Sequence, residues 1–204
     1  FLAYLADIPL RLAYCRENAY QLLTDWAPET EPQTGIRHEV RRHLDLVARV
    51  GARALNERLS AAFSAAALQR VNRLLEEAGT ALSRPWVVLH PGATAPSRRY
   101  PPELYAAAAR QLILDHRVPV VLTGSAAEAD LIDDIRTRLG APAASLAGIL
   151  TLEELAALLS LAPLLIANNT GPVHLAAAVG TPVVDLYALT NPQHTPWGVP
   201  SRVL

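Results

Sequence analysis

The chain has 204 residues, 51% of them hydrophobic, with 18 basic and 19 acidic side chains for a net charge of −1. That is enough apolar content for one large core or two modest ones, and the balanced charge, with no long run of either sign, argues against a nucleic-acid partner. No apolar stretch is long enough to cross a bilayer, and the single cysteine, Cys15, reads as a core residue in a reducing, cytoplasmic setting rather than as half of a disulfide.

The chain starts at Phe1 inside an apolar run, FLAYLA, and holds no methionine, so a piece of a longer protein is expected. PLRLAYC (9–15) has the composition of a strand. Residues 25–35, with two prolines, several acids and a glycine, read as a loop. GIRHEVRRHLDLVARVG repeats apolar residues at Val40, Leu44 and Val47, the spacing of an amphipathic helix. Arg37, His38, Arg41, Arg42 and His43 give it a basic face, either a plain polar surface or a contact for an anionic acceptor. A second helix over about 64–79 ends at Gly79, and a domain boundary is expected at the Ser83-Arg84-Pro85 stretch, dividing 1–83 from 84–204.

From residue 84 onward strand-like and helix-like segments alternate, as in a parallel α/β sheet. The predicted strands are WVVLH (86–90), PVVLTG (119–124), a weaker AASLAG (143–148), LLIAN (164–168) and PVVDLY (182–187). Between them lie helices at 101–116, begun by Pro101 or Pro102, at 126–140, closed by Gly140, at 151–162, with Thr151 and Glu154 at capping-box spacing, and at PVHLAAAVG. Roughly five strands in this order make a Rossmann-like half-fold, in which ligands sit beyond the carboxyl ends of the strands.

Those strand ends carry the polar chemistry. After the first comes HPGATAPSRRYP, with a glycine permitting close approach, Thr94, Arg98 and Arg99; after the second, TGSAAE with Glu128; after the third, Gly148-Ile149-Leu150; after the fourth, NNTGPVHLAAAVG. If Thr170 or Gly171 caps the last helix and Pro172 begins it, the N–H groups that no helical carbonyl can accept converge with the Thr170 hydroxyl on one phosphate-sized spot. His174 falls in the first turn, where the positive helix end favours a neutral donor, and Arg98 supplies charge from the opposite wall. No metal is required. The bland alternatives are a plain helix cap, a solvated Arg98-Arg99 pair and an ordinary first-turn acid at Glu128. Convergence on adjacent strand ends favours a ligand site. His90 reads as a structural histidine, and LTGSA lacks the G-x-S-x-G spacing of a nucleophile elbow.

HPGATAPSRRYPPE, VVLTGSAAE and LTLEELAALLSLAPLLIANNTGPVHLAAAVGTPVVDLYALTNPQHTPWG together resemble glycosyltransferase family 9, which includes the ADP-heptose:lipopolysaccharide heptosyltransferases. The resemblance runs in order over residues 86–198 and more loosely over the upstream segments. It implies a GT-B architecture of two Rossmann-like domains: here the C-terminal donor-binding half with a remnant of the N-terminal acceptor domain. It also implies an inverting, metal-independent and cofactor-free transfer of heptose from ADP-heptose to the lipopolysaccharide inner core, by a cytoplasmic enzyme with peripheral contact to the inner membrane. By similarity Thr94 and Arg98 (usually a lysine) contact the donor phosphates, Glu128 the ribose, the Leu150 backbone the adenine, and Asn169, Thr170, Gly171 and His174 the diphosphate. Arg98 and His174 are then the leaving-group stabilisers.

Two departures from the family pattern stand out. Many members have aspartate where Asn169 stands, so no catalytic acid is expected there. The family's general base lies near the start of the N-terminal domain, and neither Asp7 nor Asp25 corresponds to it, so this chain alone is expected to bind donor without transferring it. The alternatives are a non-catalytic nucleotide-sugar-binding module and a GT-B transferase using another nucleotide sugar. The TNPQHTPWG loop (190–198) is expected to face the cleft, where His194, Thr195 and Trp197 either touch the sugar or pack the loop.

Overall fold

Strands buried on both faces read as near-continuous apolar runs, and those at 86–90, 119–124, 164–168 and 182–187 do so apart from buried polar residues such as His90, Asn168 and Asp185. In a computed structural model, which describes residues 1–18, 20–31, 33, 35–79, 85–187 and 192–204, the chain divides into two units. The smaller comprises residues 1–57 with 192–194, the larger residues 58–187 with 195–204.

The larger unit holds a six-stranded parallel sheet of β3 (Val87–His90), β4 (Val120–Leu122), β5 (Ala144–Ser145), β6 (Leu165–Asn168), β7 (Val183–Leu186) and β8 (Ser201–Val203), in the spatial order β5-β4-β3-β6-β7-β8. The chain builds outward from β3 in one direction, then returns to start again at β6 on the other side. This is the doubly wound order, with its switch point between β3 and β6. Alternate strand residues feed two cores. Val88, Leu165 and Val183 pack with Val71 and Leu75 of α3 (Ala65–Glu77), Leu158 and Leu159 of α6 (Leu152–Leu161), and Val173 and Ala176 of α7 (Gly171–Val179). Val87, Leu89 and Leu122 face the opposite way, onto Tyr105 and Ala109 of α4 (Pro102–Leu114) and Ile132, Ile135 and Leu139 of α5 (Ala129–Leu139).

The predicted punctuation is present. Pro102 opens α4, Gly140 closes α5 in the left-handed conformation at φ 60°, and Thr151 and Glu154 form the capping box, with Glu154 N–H on Thr151 Oγ1 at 3.2 Å and Thr151 N–H on Glu154 Oε2 at 2.8 Å. The sheet gains one strand over the expected five: Ser201–Val203, too short and too polar to stand out as an apolar run, pairs with β7. The division between units also falls earlier than the Ser83-Arg84-Pro85 stretch, whose first two residues lie outside the described residues. Helix α3 belongs with the larger unit because its apolar face is buried against α6 and Arg70 donates to Glu154 Oε1 at 2.5 Å.

In the smaller unit α1 (Leu2–Leu5) precedes β1 (Leu12–Cys15), which pairs in parallel with β2 (Asp25–Pro28), Leu12 opposite Asp25 and Cys15 opposite Pro28. The start of the expected 25–35 loop is thus a strand. It escaped the composition argument because Pro28 ends it and its one buried residue is Ala27. Cys15 is half-buried, short of the core position expected for it, and donates to the Glu17 carbonyl. Helix α2 (Glu39–Ala48) is capped by His38, whose Nδ1 accepts from Val40 N–H at 3.2 Å. Its basic face meets carboxylates of the same unit: Arg37 reaches Glu31 and Asp45, Arg41 reaches Glu57, Arg42 reaches Glu29 and Glu39, and His43 lies beside Glu39. Burial disfavours ionisation of Glu31, but hydrogen bonds from Arg37 and Gln193 and the charge of Arg42 outweigh it and hold the carboxyl below its ordinary range. Among the described residues no helix is long and apolar enough to cross a membrane.

At the switch point Asn168, 0% exposed, uses both ends of its amide. Nδ2 donates to the Pro91 carbonyl at 2.7 Å, and Oδ1 accepts from Tyr100 N–H at 3.0 Å and from the Tyr105 hydroxyl at 3.1 Å. Both ends of the 91–100 loop are therefore fastened to β6. Replacing Asn168 by alanine removes these hydrogen bonds and leaves the buried Tyr105 hydroxyl unpaired. We expect a loss of about 3 kcal/mol, roughly one per bond, read as a lower urea midpoint at unchanged slope.

Candidate functional site

A cleft of about 650 Å³ opens in the larger unit beyond the carboxyl ends of β3 and β4 and beside the start of α7. Its polar lining is His90, Thr123, Ser125, Glu128 and His174, and its apolar lining is Leu150, Leu152, Leu155, Leu175 and Ala178, with Ser60 and Ala61 reaching it from the segment preceding α3. Glu128, Leu150, Gly171 and His174, far apart in sequence, thus come together as the strand-end argument required.

Thr170 is the N-cap of α7, with φ −147° and ψ −178°, but its hydroxyl does not cap. It donates instead to the Asn168 carbonyl at 3.2 Å. Val173 N–H already bonds the Thr170 carbonyl, and Pro172 has no N–H to offer. The Thr170 and Gly171 amides have no backbone or side-chain acceptor among the described residues, so the positive end of α7, whose Gly171 lines the cleft, carries two unengaged N–H groups. A Cβ built on Gly171 meets nothing within 4 Å among the described residues beyond its chain neighbours and its own helix backbone. His174 is half-buried one turn into the same helix.

Asn169 points elsewhere. It is buried, and its Nδ2 donates to Asp185 Oδ2 at 2.8 Å on the neighbouring strand β7, so its side chain braces the turn from below. Thr94 and Arg98 do not line the cleft. Thr94 is exposed, and Arg98, at the end of a 3-10 turn over Pro96–Arg98, lines a separate hollow of about 360 Å³ with Tyr100, Tyr187 and Leu204. The cause is the fastening of the loop: Asn168 fixes its ends, and Arg99 Nε donates back to the Ala93 carbonyl at 2.7 Å. Of the 190–198 loop, Thr190 and Asn191 lie outside the described residues. His194, Thr195 and Trp197 are not among the residues lining the cleft, and Gln193 donates to Glu31 at 2.8 Å.

Four residues had little or no signal in the sequence. His90, read there as structural, is 8% exposed with Nδ1 3.0 Å from Thr123 Oγ1, yet it also lines the cleft; burial pushes its imidazole below the ordinary range, against the pull of Glu128. Ser60 and Ala61 sit in a stretch with no periodicity. Asp185 is signalled only by a charge inside the apolar run PVVDLY. Among the described residues no group of three or more His, Cys, Asp or Glu side chains converges as metal ligands would.

A profile of glycosyltransferase family 9 (heptosyltransferase) matches residues 1–203. Lipopolysaccharide heptosyltransferase 2 of Escherichia coli strain K12 is 36% identical over 118 residues, which cover 55% of this chain and 34% of that protein. The solved structure of the E. coli ADP-heptose lipopolysaccharide heptosyltransferase II aligns with all of this chain and 63% of its own, at a TM-score of 0.74 and 27% identity. The family 9 glycosyltransferase from Veillonella parvula DSM 2008 aligns with all of this chain and 58% of its own, at a TM-score of 0.87 and 20% identity, a likeness of fold. The chain spans less than two thirds of the length of these relatives.

Asp185 generates a pH prediction. It is 0% exposed, its Oδ1 has no partner among the described residues, and burial pushes its carboxyl from the usual 3.8 up to about 6, with the Asn169 hydrogen bond acting against the shift. The folded state therefore holds this proton more tightly than the unfolded chain does. The stability it contributes is full below 3.8 and is lost as pH rises through about 6. Asp185→Asn abolishes that loss, so urea titrations across this window should show the variant gaining on the wild type as pH rises. Parallel curves at all pH values would contradict it.

Proposed function

This chain belongs to glycosyltransferase family 9 (heptosyltransferase), and from that membership we propose that its larger unit, the Rossmann-like half of a GT-B transferase, holds an ADP-activated heptose for transfer to the lipopolysaccharide inner core. The observation that carries the reading is the pair of unengaged amides at the start of α7, where Gly171 and His174 line a cleft that is also lined by leucines. A diphosphate needs such donors, and a planar base needs such a wall.

In an inverting displacement the acceptor hydroxyl oxygen attacks the anomeric carbon as the bond from that carbon to the diphosphate oxygen breaks. Negative charge then accumulates on the leaving diphosphate. The α7 amides and His174 donate to that charge, a fixed arrangement that needs no reorganisation as the bond breaks. Arg98 adds positive potential from its own hollow, and Thr94 lies on the same loop. These groups supply the positive potential, and the mechanism is metal-independent. Glu128 accepts from the ribose, and the Leu150 backbone lies against the adenine. Asn169, through Asp185, holds the turn rather than the ligand. The acceptor proton passes to a base that this reading places outside the 204 residues, so the chain by itself binds donor without transferring sugar. The full-length protein works at the cytoplasmic face of the inner membrane, where its acceptor is anchored.

One observation favours a second donor: the wall of Leu150, Leu152, Leu155 and Leu175 carries no side chain able to read the edge of a base, so another nucleotide sugar fits the same chemistry.

Calorimetry and radiolabelled heptose transfer test the reading. The chain is expected to bind ADP in preference to UDP, and the full-length protein to transfer heptose from ADP-heptose. His174→Ala should lower kcat by about 100-fold, the usual cost of one oxyanion donor, with a smaller loss for Arg98→Ala. Absence of ADP binding, or full turnover in both variants, would overturn it.

A further inference from the structure

The reading above assigns Glu128 to the ribose but leaves unexplained how its carboxylate is aimed. Gly92, buried just after β3, supplies the answer. A Cβ built on Gly92 lies 1.9 Å from Glu128 Oε1, 2.3 Å from its Cδ and 2.6 Å from Oε2, so the whole carboxylate occupies the place of a side chain at position 92. Gly92 is not in the left-handed region, so space and not backbone conformation is what requires glycine here. On the other side, a Cβ on Gly124 would sit 3.4 Å from Glu128 Cβ, and Ser125 holds Oε2 from its N–H at 2.7 Å and its hydroxyl at 2.9 Å. The segment beneath is fixed as well: the Pro91 carbonyl accepts from Asn168, and His90 is pinned through Nδ1 to Thr123. Oε1 has no hydrogen-bond partner among the described residues, and Glu128 lines the cleft.

We infer that Gly92 is a positioning residue for donor recognition: by having no side chain it seats the Glu128 carboxylate over the end of β3, with Oε1 turned to accept from a vicinal diol. A carboxylate repels phosphate and accepts from hydroxyls, so this end of the cleft takes the ribose while the α7 end takes the diphosphate. The inference rests on the proposed nucleotide-sugar reading and deepens it.

Gly92→Ala forces only the far end of a flexible glutamate to move, so the variant is expected to fold with a melting temperature close to that of the wild type. Its affinity for ADP should fall about tenfold, the worth of one hydrogen bond to a charged group. The loss should vanish with 2′,3′-dideoxy-ADP, and Gly92→Ala should cost nothing further in a Glu128→Ala background, because both changes remove one interaction. Glu128→Asp, too short to fill the space at Gly92, reproduces the loss with Gly92 intact and covers the case in which the alanine variant does not fold. Wild-type ADP affinity in Gly92→Ala or in Glu128→Asp overturns the inference, as does an equal loss with the dideoxy ligand or in the Glu128→Ala background. If the wild-type chain binds no ADP, the nucleotide-sugar reading itself fails. If it binds ADP and dideoxy-ADP equally, only the diol assignment falls.

Discussion

Where a doubly wound sheet changes direction, the chain segments leaving two adjacent strands must part, and the polar backbone between them loses its neighbours. Here β3 and β6 part, and the amide of Asn168 fills the gap by donating to Pro91 and accepting from Tyr100 and Tyr105. The same crevice that needs this fastening is the one that a ligand can enter. The fold therefore cannot tie it shut with bulk, and a single small amide serves both demands. The position of the 91–100 loop, and with it the placement of Thr94 and Arg98 away from the cleft, follows from that side chain together with the bond from Arg99 to the Ala93 carbonyl.

The cleft lining is mixed in sign and in wetness. The lining combines the Glu128 carboxylate, the His90 imidazole, whose burial favours the neutral form, the Gly171 start of α7 and four leucines. In the proposed function these meet the hydroxyls, phosphates and base of a nucleotide sugar. Beneath the helix terminus, Asn169 and Asp185 form a buried pair that no ligand needs to touch. Its role is to hold Thr170 and Gly171 up to the cleft, and the asparagine puts a neutral amide, not a second carboxylate, against a buried acid.

Much of this was legible in the residues. The apolar runs, the proline and glycine at helix ends and the Thr151-Glu154 spacing located the elements of the larger unit, because each reflects a local rule. The strand-end argument brought Glu128, Leu150, Gly171 and His174 together, since a parallel sheet sends every such end to one side. What failed to show depended on distant partners. β2 and β8 owe their existence to a neighbouring strand and not to their own composition, and the arginines of the smaller unit found carboxylates that no spacing announces. Arg98 was expected at the opposite wall, and a loop's course is set by what fastens it, which here lies 68 residues away. The glycine in HPGATAP was read as permitting close approach, and the group that approaches is the protein's own glutamate, which no local spacing announces.

Glu154 closes the cap of α6 with one oxygen and receives Arg70 of α3 with the other, while Ser64 at the head of α3 donates its N–H to Glu153 at 2.6 Å. A helix that precedes the sheet in the chain is thereby riveted to it. Any exchange of halves between related transferases, by recombination in nature or by chimera building in the laboratory, has its natural seam near Glu57 and Arg58. A graft cut instead just before β3 would leave the parent that supplies the first part carrying a bare amphipathic rod, and the parent that supplies the second a sheet with one flank stripped to water.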